Sequence, residues 1–272
     1  KDELERAKRK KSKEFNLSGV PSNADILEIA NKKEKDNATE VLRKKPVRSV
    51  SGVTIITVMP KPYPCPKDEP CIYCPGGPDD NTPQSYTGKE PASARALDAG
   101  YDPKKQIRTR KSQLKAIGHK VDKVELIIFG GTFLSQPQEY QEEFIHSCLD
   151  EISEINTPDL ETAKKKSETS EIRTIGITFE SRPDYSKKPH VDKMLKFGGT
   201  RVELGVQTVY EDIYERVNRE HTIEDVIEAT RIAQDAGLAI VYHMMPGLPG
   251  STDERDLKAF DTIFKEPKFR PD

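Results

Sequence analysis

Five short apolar runs alternate with amphipathic helical patterns along most of this chain. The runs are rich in Val, Ile and Leu and lie at 53–58, 124–129, 172–178, 202–206 and 238–243. Uninterrupted apolar runs of this length are typical of parallel strands buried on both faces. Strands that alternate with helices form a parallel α/β sheet or barrel. We therefore expect a partial or full (β/α) barrel with its functional site at the carboxyl ends of the strands.

Capping residues mark the expected ends of several helices. Ser22 is expected to cap a single helix over 23–42, where the apolar positions recur at helical spacing. Thr222 opens another helical pattern, which Gly237 ends. These signals predict helices between the barrel strands as well as before the first of them.

The expected domain organisation follows from where the alternation begins and is interrupted. Residues 1–48 predict a basic, helical N-terminal segment, and the barrel is expected to occupy 49–272. The segment 75–123 is far longer than an ordinary connection between a strand and a helix. The segment 156–171 is highly charged, so we expect a solvated linker there. The chain lacks an initiator Met, and a sixth strand is expected just past Asp272, so we expect a fragment truncated before its last strand.

Charge and hydropathy exclude several classes of protein. Lys and Arg number 44 against 46 Asp and Glu, so the net charge is −2 and any nucleic-acid surface has to be a local patch. No stretch approaches the roughly 20 apolar residues of a membrane helix. The N-terminus has no apolar signal-peptide core. Together these features predict a cytoplasmic protein that does not enter a membrane.

Three of the four cysteines lie within ten residues, at Cys65, Cys71 and Cys74. Three thiols cannot complete an all-cysteine tetrahedral zinc site. A [4Fe–4S] cluster on three cysteines leaves one iron open, and radical chemistry with S-adenosylmethionine (SAM) uses such an iron. The trio alone leaves three interpretations open: the cluster, a zinc site completed by a distant residue, and redox thiols. Cys148 lies on an apolar helical face and is expected to be a core thiol.

Polar or glycine-rich residues follow the later apolar runs. They are Gly130, Gly131, Thr132, Glu180, Arg182, Gln207 and Met245. Adjacent glycines allow close approach of a ligand to the backbone, and a carboxylate with a guanidinium suits a zwitterionic ligand. A tight turn and a surface salt bridge are the alternatives for the individual motifs. Because all of them fall on one rim of the expected barrel, together they indicate a binding site.

Two clusters of positive charge are candidate nucleic-acid-binding surfaces. The first comprises Arg6, Lys8, Arg9, Lys10, Lys11 and Lys13, and the second comprises Lys104, Lys105, Arg108, Arg110, Lys111 and Lys115. In the second, Arg108, Lys111 and Lys115 share one stripe of an expected helix. The alternatives are a disordered, solvated tail for the first cluster and an ordinary solvated helix face for the second. Phosphate contacts from either cluster would give a salt-dependent affinity.

The order of these motifs resembles the radical SAM superfamily. The resemblance is closer still to the catalytic subunits of Elongator, the enzymes that modify the wobble uridine of tRNA. It rests on the segments 45–48, 71–78, 84–88, 101–103, 118–119, 122–125, 130–133, 182–185, 204–207 and 243–246. The runs Tyr-Cys-Pro-Gly-Gly-Pro and Gln-Ser-Tyr-Thr-Gly are specific to the subfamily, and the resemblance extends from about residue 21 to residue 272.

The resemblance implies a fold, cofactors and a reaction. The fold is an α/β partial TIM-type barrel with a small helical N-terminal lobe. A [4Fe–4S] cluster on the three clustered cysteines would cleave SAM to a 5′-deoxyadenosyl radical, and Tyr73 joins the strand-end residues as a SAM-binding candidate. Acetyl-CoA would then supply a carboxymethyl group to C5 of the wobble uridine, as in a carboxymethyltransferase or acyltransferase.

Two departures from the family, and several alternatives, accompany this interpretation. The spacer between Cys65 and Cys71 is shorter than in many relatives, and the acetyltransferase-like domain that binds acetyl-CoA in the family is not present in this sequence.

The implied partners are tRNA and acetyl-CoA, with other Elongator-type subunits or a second copy of the chain. The alternatives for function are another radical SAM reaction and a non-catalytic tRNA-binding scaffold with a structural metal.

Overall fold

The computed structural model describes residues 2–43 and 46–272. The chain divides into two compact units, one formed by Lys1–Thr54 with Thr109–Asp122 and the other by Ile55–Arg108 with Lys123–Asp272. The domain boundary that the sequence places at residue 48 stays a prediction. Lys45, which belongs to one of the segments quoted for the resemblance, lies outside the described residues.

The N-terminal unit contains the helices α1 (Asp2–Glu14), α2 (Asn23–Ile29) and α3 (Lys32–Leu42). The single helix expected over 23–42 is wrong, because Ala30 is extended and a second capping box begins at Asn31. There the Asn31 side chain accepts from the Glu34 N–H at 3.0 Å, and the Glu34 carboxylate accepts from the Asn31 N–H at 2.9 Å. These reciprocal bonds satisfy amides that would otherwise lack partners at a helix start, so they favour two helices. The predicted cap at Ser22 is confirmed.

The remaining strands and helices alternate as expected. In chain order they are β1 (Thr54–Val58), α4 (Pro91–Asp98), α5 (Pro103–Ala116), β2 (Lys123–Ile128), α6 (Gln138–Ser153), α7 (Leu160–Thr169), β3 (Arg173–Ser181), α8 (Lys188–Lys196), β4 (Arg201–Gln207), α9 (Glu211–Arg216), α10 (Ile223–Asp235), β5 (Ala239–Met244) and α11 (Asp253–Lys265). Among the described residues the strands form one sheet in the order β1-β2-β3-β4-β5, and β2 to β5 pair in parallel. This open sheet confirms the expected partial barrel. None of the helices within 2–43 and 46–272 combines the length and apolar character needed to cross a membrane.

The core lies between the sheet and its helices. Phe179 on β3 is fully buried, and its ring packs against Phe133 at 6.1 Å and Phe197 at 6.2 Å between centroids. A second apolar cluster joins α9 to the turn after β5, and Tyr73 and Met245 pack against it. The cysteine loop and the end of β5 therefore rest on the same apolar base.

The expected linker at 156–171 is wrong, because most of it is the helix α7. Asp159 caps this helix by accepting from the Thr162 N–H at 2.8 Å. Leu160, Ala163 and Ser167 are buried along one face, while the charged residues occupy the other faces. The charge density therefore reflects the solvated side of an amphipathic helix.

The long segment after the cysteines contains two helices and is tied to the end of β1. The Gln106 side chain on α5 donates to the Met59 carbonyl and accepts from the Met59 N–H, both at 2.9 Å. Gln106 is 5% exposed, and this pair of bonds satisfies the backbone of Met59 just beyond the strand. The extra length thus forms ordered structure beside the rim of the sheet.

Candidate functional site

A cavity of about 290 Å³ opens at the carboxyl ends of the strands. Its wall includes Cys65, Cys71, Tyr73, Cys74, Gln84, Gly131, Thr132, Glu180, Arg182, Gly205, Gln207, Arg219 and Met245. The structure therefore brings together, at one cavity, the three clustered cysteines and the strand-end residues singled out from the sequence, except Gly130. The Gly130 N–H instead donates to Glu180 Oε2 at 3.2 Å. The assignment of these residues to metal and SAM remains a prediction.

The two glycines after β2 have backbone conformations that favour glycine. Gly130 has φ of +124° and Gly131 has φ of +72°. A Cβ atom on Gly131 would lie 3.2 Å from Cβ of Gln84 on the facing loop. Positive φ values disfavour side chains with a Cβ, so these positions require glycine for the turn itself. The same turn places bare backbone in the cavity wall.

The cysteine thiols lie in polar and partly buried surroundings. Cys71 is 8% exposed, and Arg219 approaches its Sγ at 3.7 Å while Lys67 Nζ approaches it at 3.9 Å. Burial alone would raise the pKa of the Cys71 thiol, but the nearby Arg219 and Lys67 cations bring it below the ordinary value. Cys74 Sγ accepts from Gln84 Nε2 at 2.9 Å. The cations beside the Cys71 sulfur favour its thiolate, the form that binds metals.

The donor set fits an iron–sulfur cluster. Cys65, Cys71 and Cys74 are all free thiols on one cavity wall. Within the described part of the chain, no three His, Cys, Asp or Glu side chains converge tightly enough to hold a single metal ion. The ligands of a [4Fe–4S] cluster bind different irons and need not converge in that way. Cys148 is fully buried in α6, and burial raises its pKa, so the expected core thiol is confirmed.

Three buried polar atoms in the cavity wall lack hydrogen-bond partners among the described residues. They are Oη of Tyr73, Oε1 of Gln207 and Nε of Arg219. Arg219 is 7% exposed, and its other nitrogens donate to the Gly205 carbonyl at 2.7 Å and to Cys71 Sγ. Buried polar groups in folded proteins are nearly always paired, so an unused donor and an unused acceptor indicate a polar ligand. The carboxylate, amine and ribose hydroxyls of SAM offer both kinds of partner.

Arg182 is already engaged within the protein. Its guanidinium donates to both carboxylate oxygens of Asp184, at 2.8 Å and 2.9 Å, and also to the Arg219 carbonyl at 3.2 Å. It is 5% exposed, so the salt bridge weighed as an alternative is present but lies in the wall rather than on the surface. A contact between Arg182 and SAM remains a prediction.

Glu180 belongs to a chain of interacting polar and charged side chains that also includes Tyr86, His243 and Glu203. Tyr86 donates to Glu180 Oε2 at 2.9 Å, His243 Nδ1 lies 3.6 Å from the same carboxylate, and His243 Nε2 lies 2.7 Å from Glu203. The two carboxylates raise the pKa of His243 to about 10 against the opposing effect of burial. His243 is therefore an imidazolium at neutral pH and holds Glu180 and Glu203 in place.

This arrangement predicts a pH-dependent effect of replacing His243. Because its pKa is raised on folding, the imidazolium stabilises the fold fully below its unfolded pKa of about 6.5, and that stabilisation is lost as the pH rises through about 10. We expect His243→Gln to lower the thermal unfolding midpoint more at pH 7 than at pH 9, with the deficit shrinking further towards pH 10. His190→Gln is the control, because burial lowers the pKa of His190 and its ring is neutral throughout this range. A His243→Gln deficit that does not change with pH would contradict the assignment.

The basic clusters are placed differently from one another. Arg6, Arg9, Lys10 and Lys13 are exposed on α1, while Lys8 bonds Glu5 and Asn23. The first cluster is therefore helical, and the disordered tail weighed as its alternative is wrong. In the second cluster Arg108 forms an ion pair with Glu151 at 2.9 Å, Arg110 is half-buried, and Lys115 is exposed. Lys111 is only 4% exposed, so the solvated helix face weighed as an alternative does not hold at that residue.

Several residues of the site escaped the sequence analysis. Tyr86 and His243 lie inside segments that carry the family resemblance, so motif membership was an available signal for them. Arg219 lies between α9 and α10, away from any strand end, and nothing in its local sequence marks it. Only the folded chain places it against Cys71.

Comparison with known families agrees with this geometry. Residues 59–263 match the radical SAM superfamily. The chain belongs to the radical SAM superfamily. Residues 1–50 also match the ELP3 N-terminal domain. Membership implies SAM and a [4Fe–4S] cluster as cofactors, which agrees with the cysteines and the unpartnered polar atoms of the cavity.

Individual proteins of this superfamily are similar in sequence to almost the whole of this chain. A tRNA uridine(34) acetyltransferase of Methanocaldococcus jannaschii is 48% identical over 93% of this chain and 47% of its own length. Elongator complex protein 3 of Homo sapiens is 44% identical over 99% of this chain and 51% of its own length. The solved structure of Methanocaldococcus infernus Elp3 with an N-terminal deletion has a TM-score of 0.67 and 40% identity, over 81% of this chain and 44% of that one. This radical SAM chain thus spans about half the length of the curated relatives it matches.

Proposed function

We propose that this chain is the radical SAM part of an enzyme that modifies C5 of the wobble uridine of tRNA. The observation that carries the proposal is the 48% identity to a tRNA uridine(34) acetyltransferase over 93% of the chain. The reaction is the formation of a carboxymethyl group with acetyl-CoA as the donor. Acetyl-CoA is held mainly by the half of the relatives that this chain does not span, and the enzyme works in the cytoplasm with Elongator-type subunits or as a homodimer.

The cavity residues have distinct tasks in this proposal. Cys65, Cys71 and Cys74 hold the [4Fe–4S] cluster, which together with SAM supplies a carbon radical when both are bound. Gln207 accepts a hydrogen bond from SAM through its unpartnered Oε1, and Arg219 donates to the SAM carboxylate through its unpartnered Nε. The backbone at Gly131 and Thr132 leaves room for SAM beside the cluster. Glu180 is oriented by Tyr86 and the His243 imidazolium, so that it accepts the SAM amine.

The exposed cations of α1 bind tRNA phosphates in this proposal. A net charge of −2 requires the affinity to come from a local surface, and Arg6, Arg9, Lys10 and Lys13 are exposed together on one helix. Phosphate contacts supply affinity without reading the sequence of the RNA. Selection of one base requires that it leave its stack and enter a site that reads its edges. The strand-end cavity is the candidate for that site.

A SAM-cleavage assay tests the proposal. Anaerobically reconstituted protein is incubated with SAM, a reductant and acetyl-CoA, with and without tRNA, and 5′-deoxyadenosine is quantified. We expect cleavage above the protein-free background, and transfer of label from acetyl-CoA to uridine 34 only when the remaining half of a relative is supplied. Cleavage that depends on a different substrate and ignores tRNA would favour another radical SAM reaction. No cleavage by cluster-loaded protein under any of these conditions would favour the non-catalytic scaffold.

A further inference from the structure

The loop between the first two clustered cysteines contains a buried lysine. Lys67 lies two residues after Cys65, and its side chain is only 2% exposed. Its ammonium lies 3.9 Å from the Sγ of Cys71. Lysine is almost never buried to this extent without a partner, because removing an ammonium from water is costly. Lys67 therefore places a buried ammonium group beside the sulfur of Cys71.

The turn that follows α9 holds both the lysine and the loop. Lys67 donates to the Asn218 carbonyl and lies 3.5 Å from a carboxylate oxygen of Glu220. Two further bonds join the same turn to the loop, from Ile72 N–H to the Val217 carbonyl at 3.1 Å and from Asn218 Nδ2 to the Pro70 carbonyl at 3.4 Å. The ammonium is thus fixed in place beside Cys71.

The charges around Cys71 do not cancel locally. Arg219 approaches the same sulfur at 3.7 Å, so two cations flank one thiol. The carboxylate paired with Lys67 belongs to Glu220, whose side chain is 46% exposed. Water screens an exposed carboxylate strongly, whereas the buried ammonium acts on Cys71 across a short, poorly screened path. The sulfur therefore experiences a net positive environment.

We propose that Lys67 is a positioning residue whose buried charge raises the reduction potential of the cluster held by Cys71. Reduction adds one electron to the cluster, and a fixed cation about 4 Å from a ligand sulfur stabilises the reduced state more than the oxidised state. Lys67 thereby makes the one-electron reduction that radical chemistry requires more favourable. The proposal rests on the cluster assignment made under the proposed function.

The test is a redox titration of anaerobically reconstituted protein, followed by visible absorbance and electron paramagnetic resonance. Lys67→Met removes the charge and keeps the length of the side chain, and Lys67→Arg restores a cation. Lys61→Met is the matched control, because Lys61 is exposed and places its ammonium over the Tyr140 ring. We expect Lys67→Met to disfavour one-electron reduction at least tenfold, which corresponds to a shift of about 59 mV to more negative potential. Lys67→Arg should recover most of that shift, and Lys61→Met should titrate like the wild type.

Each other outcome overturns the proposal in a recognisable way. A full iron content in Lys67→Met together with an unchanged midpoint would show that its charge does not act on the cluster. A reduced iron content, with the remaining clusters titrating at the wild-type midpoint, would show that Lys67 only shapes the loop. Wild-type protein that takes up no cluster would remove the cluster assignment itself, and that failure is seen before any variant is compared.

Discussion

Anaerobically reconstituted protein in which Cys71 is replaced by alanine is expected to hold no stable [4Fe–4S] cluster. Three cysteines supply all the protein ligands in the proposed site, so the loss of one leaves two irons of the cluster without a protein ligand. Cys65→Ala and Cys74→Ala should behave alike. The wild type should contain about four irons per chain and show the broad visible absorbance of such clusters, and each variant should lose both.

The matched control is Cys148→Ala. Cys148 is fully buried in α6 and does not line the cavity, so its removal should leave iron content and absorbance unchanged. The small cavity it leaves should lower the unfolding free energy by roughly 1 kcal/mol. Wild-type iron content in Cys71→Ala would contradict the cluster assignment. So would protein that stays zinc-loaded after anaerobic treatment with iron and sulfide.

Removal of four exposed cations from α1 is expected to produce the second large effect, on tRNA binding. The variant replaces Arg6, Arg9, Lys10 and Lys13 with alanine and leaves Lys8, which bonds Asn23, in place. Each lost phosphate contact should flatten the plot of log affinity against log salt by roughly 0.7–0.9, or about 3 in total. Because α1 is already helical, little ordering entropy opposes these contacts, and the loss of affinity at low salt should be correspondingly large.

The control for this experiment removes equal charge elsewhere. Lys258, Lys265, Lys268 and Arg270 are exposed on α11 and just beyond it. Their replacement with alanine should change the salt dependence little, since we assign no tRNA contact to them. Filter binding or fluorescence anisotropy at several salt concentrations provides the measurement. Equal slopes for both variants would show a diffuse electrostatic attraction, and an unchanged slope in the α1 variant would remove α1 from the tRNA surface.

Local sequence patterns predicted the sheet and the place of its site. Short apolar runs marked the strands because parallel strands are largely buried, as β4 is from Val202 to Val206, and this property is visible without knowledge of the neighbours. The carboxyl ends of such strands meet on one rim, so the cysteines, Gly131 and Gln207 were expected to lie together, and they line one cavity. The caps at Ser22 and Thr222 are equally local, since each involves residues three apart.

Local patterns were insufficient where two structures satisfied the same spacing. Apolar residues at helical spacing over 23–42 suit one helix or two, and the capping box at Asn31 decides for two. The charged segment 156–171 suits a linker or an amphipathic helix, and burial of Leu160 and Ala163 decides for the helix. The charge of Lys111 suited a solvated face or a phosphate contact, but the side chain is buried.

The sequence by itself determined the class of fold, the rim and the cysteine ligands proposed for the cluster. The tertiary structure alone decided what surrounds those ligands. Arg219 and Cys71 are 148 residues apart in sequence, yet they meet at 3.7 Å, and His243 lies between carboxylates from two other strands. The physical reason is the separation along the chain over which each effect acts. Periodicity and capping act over a few residues, whereas the charge that a buried sulfur or carboxylate experiences comes from whichever distant segments the fold packs against it.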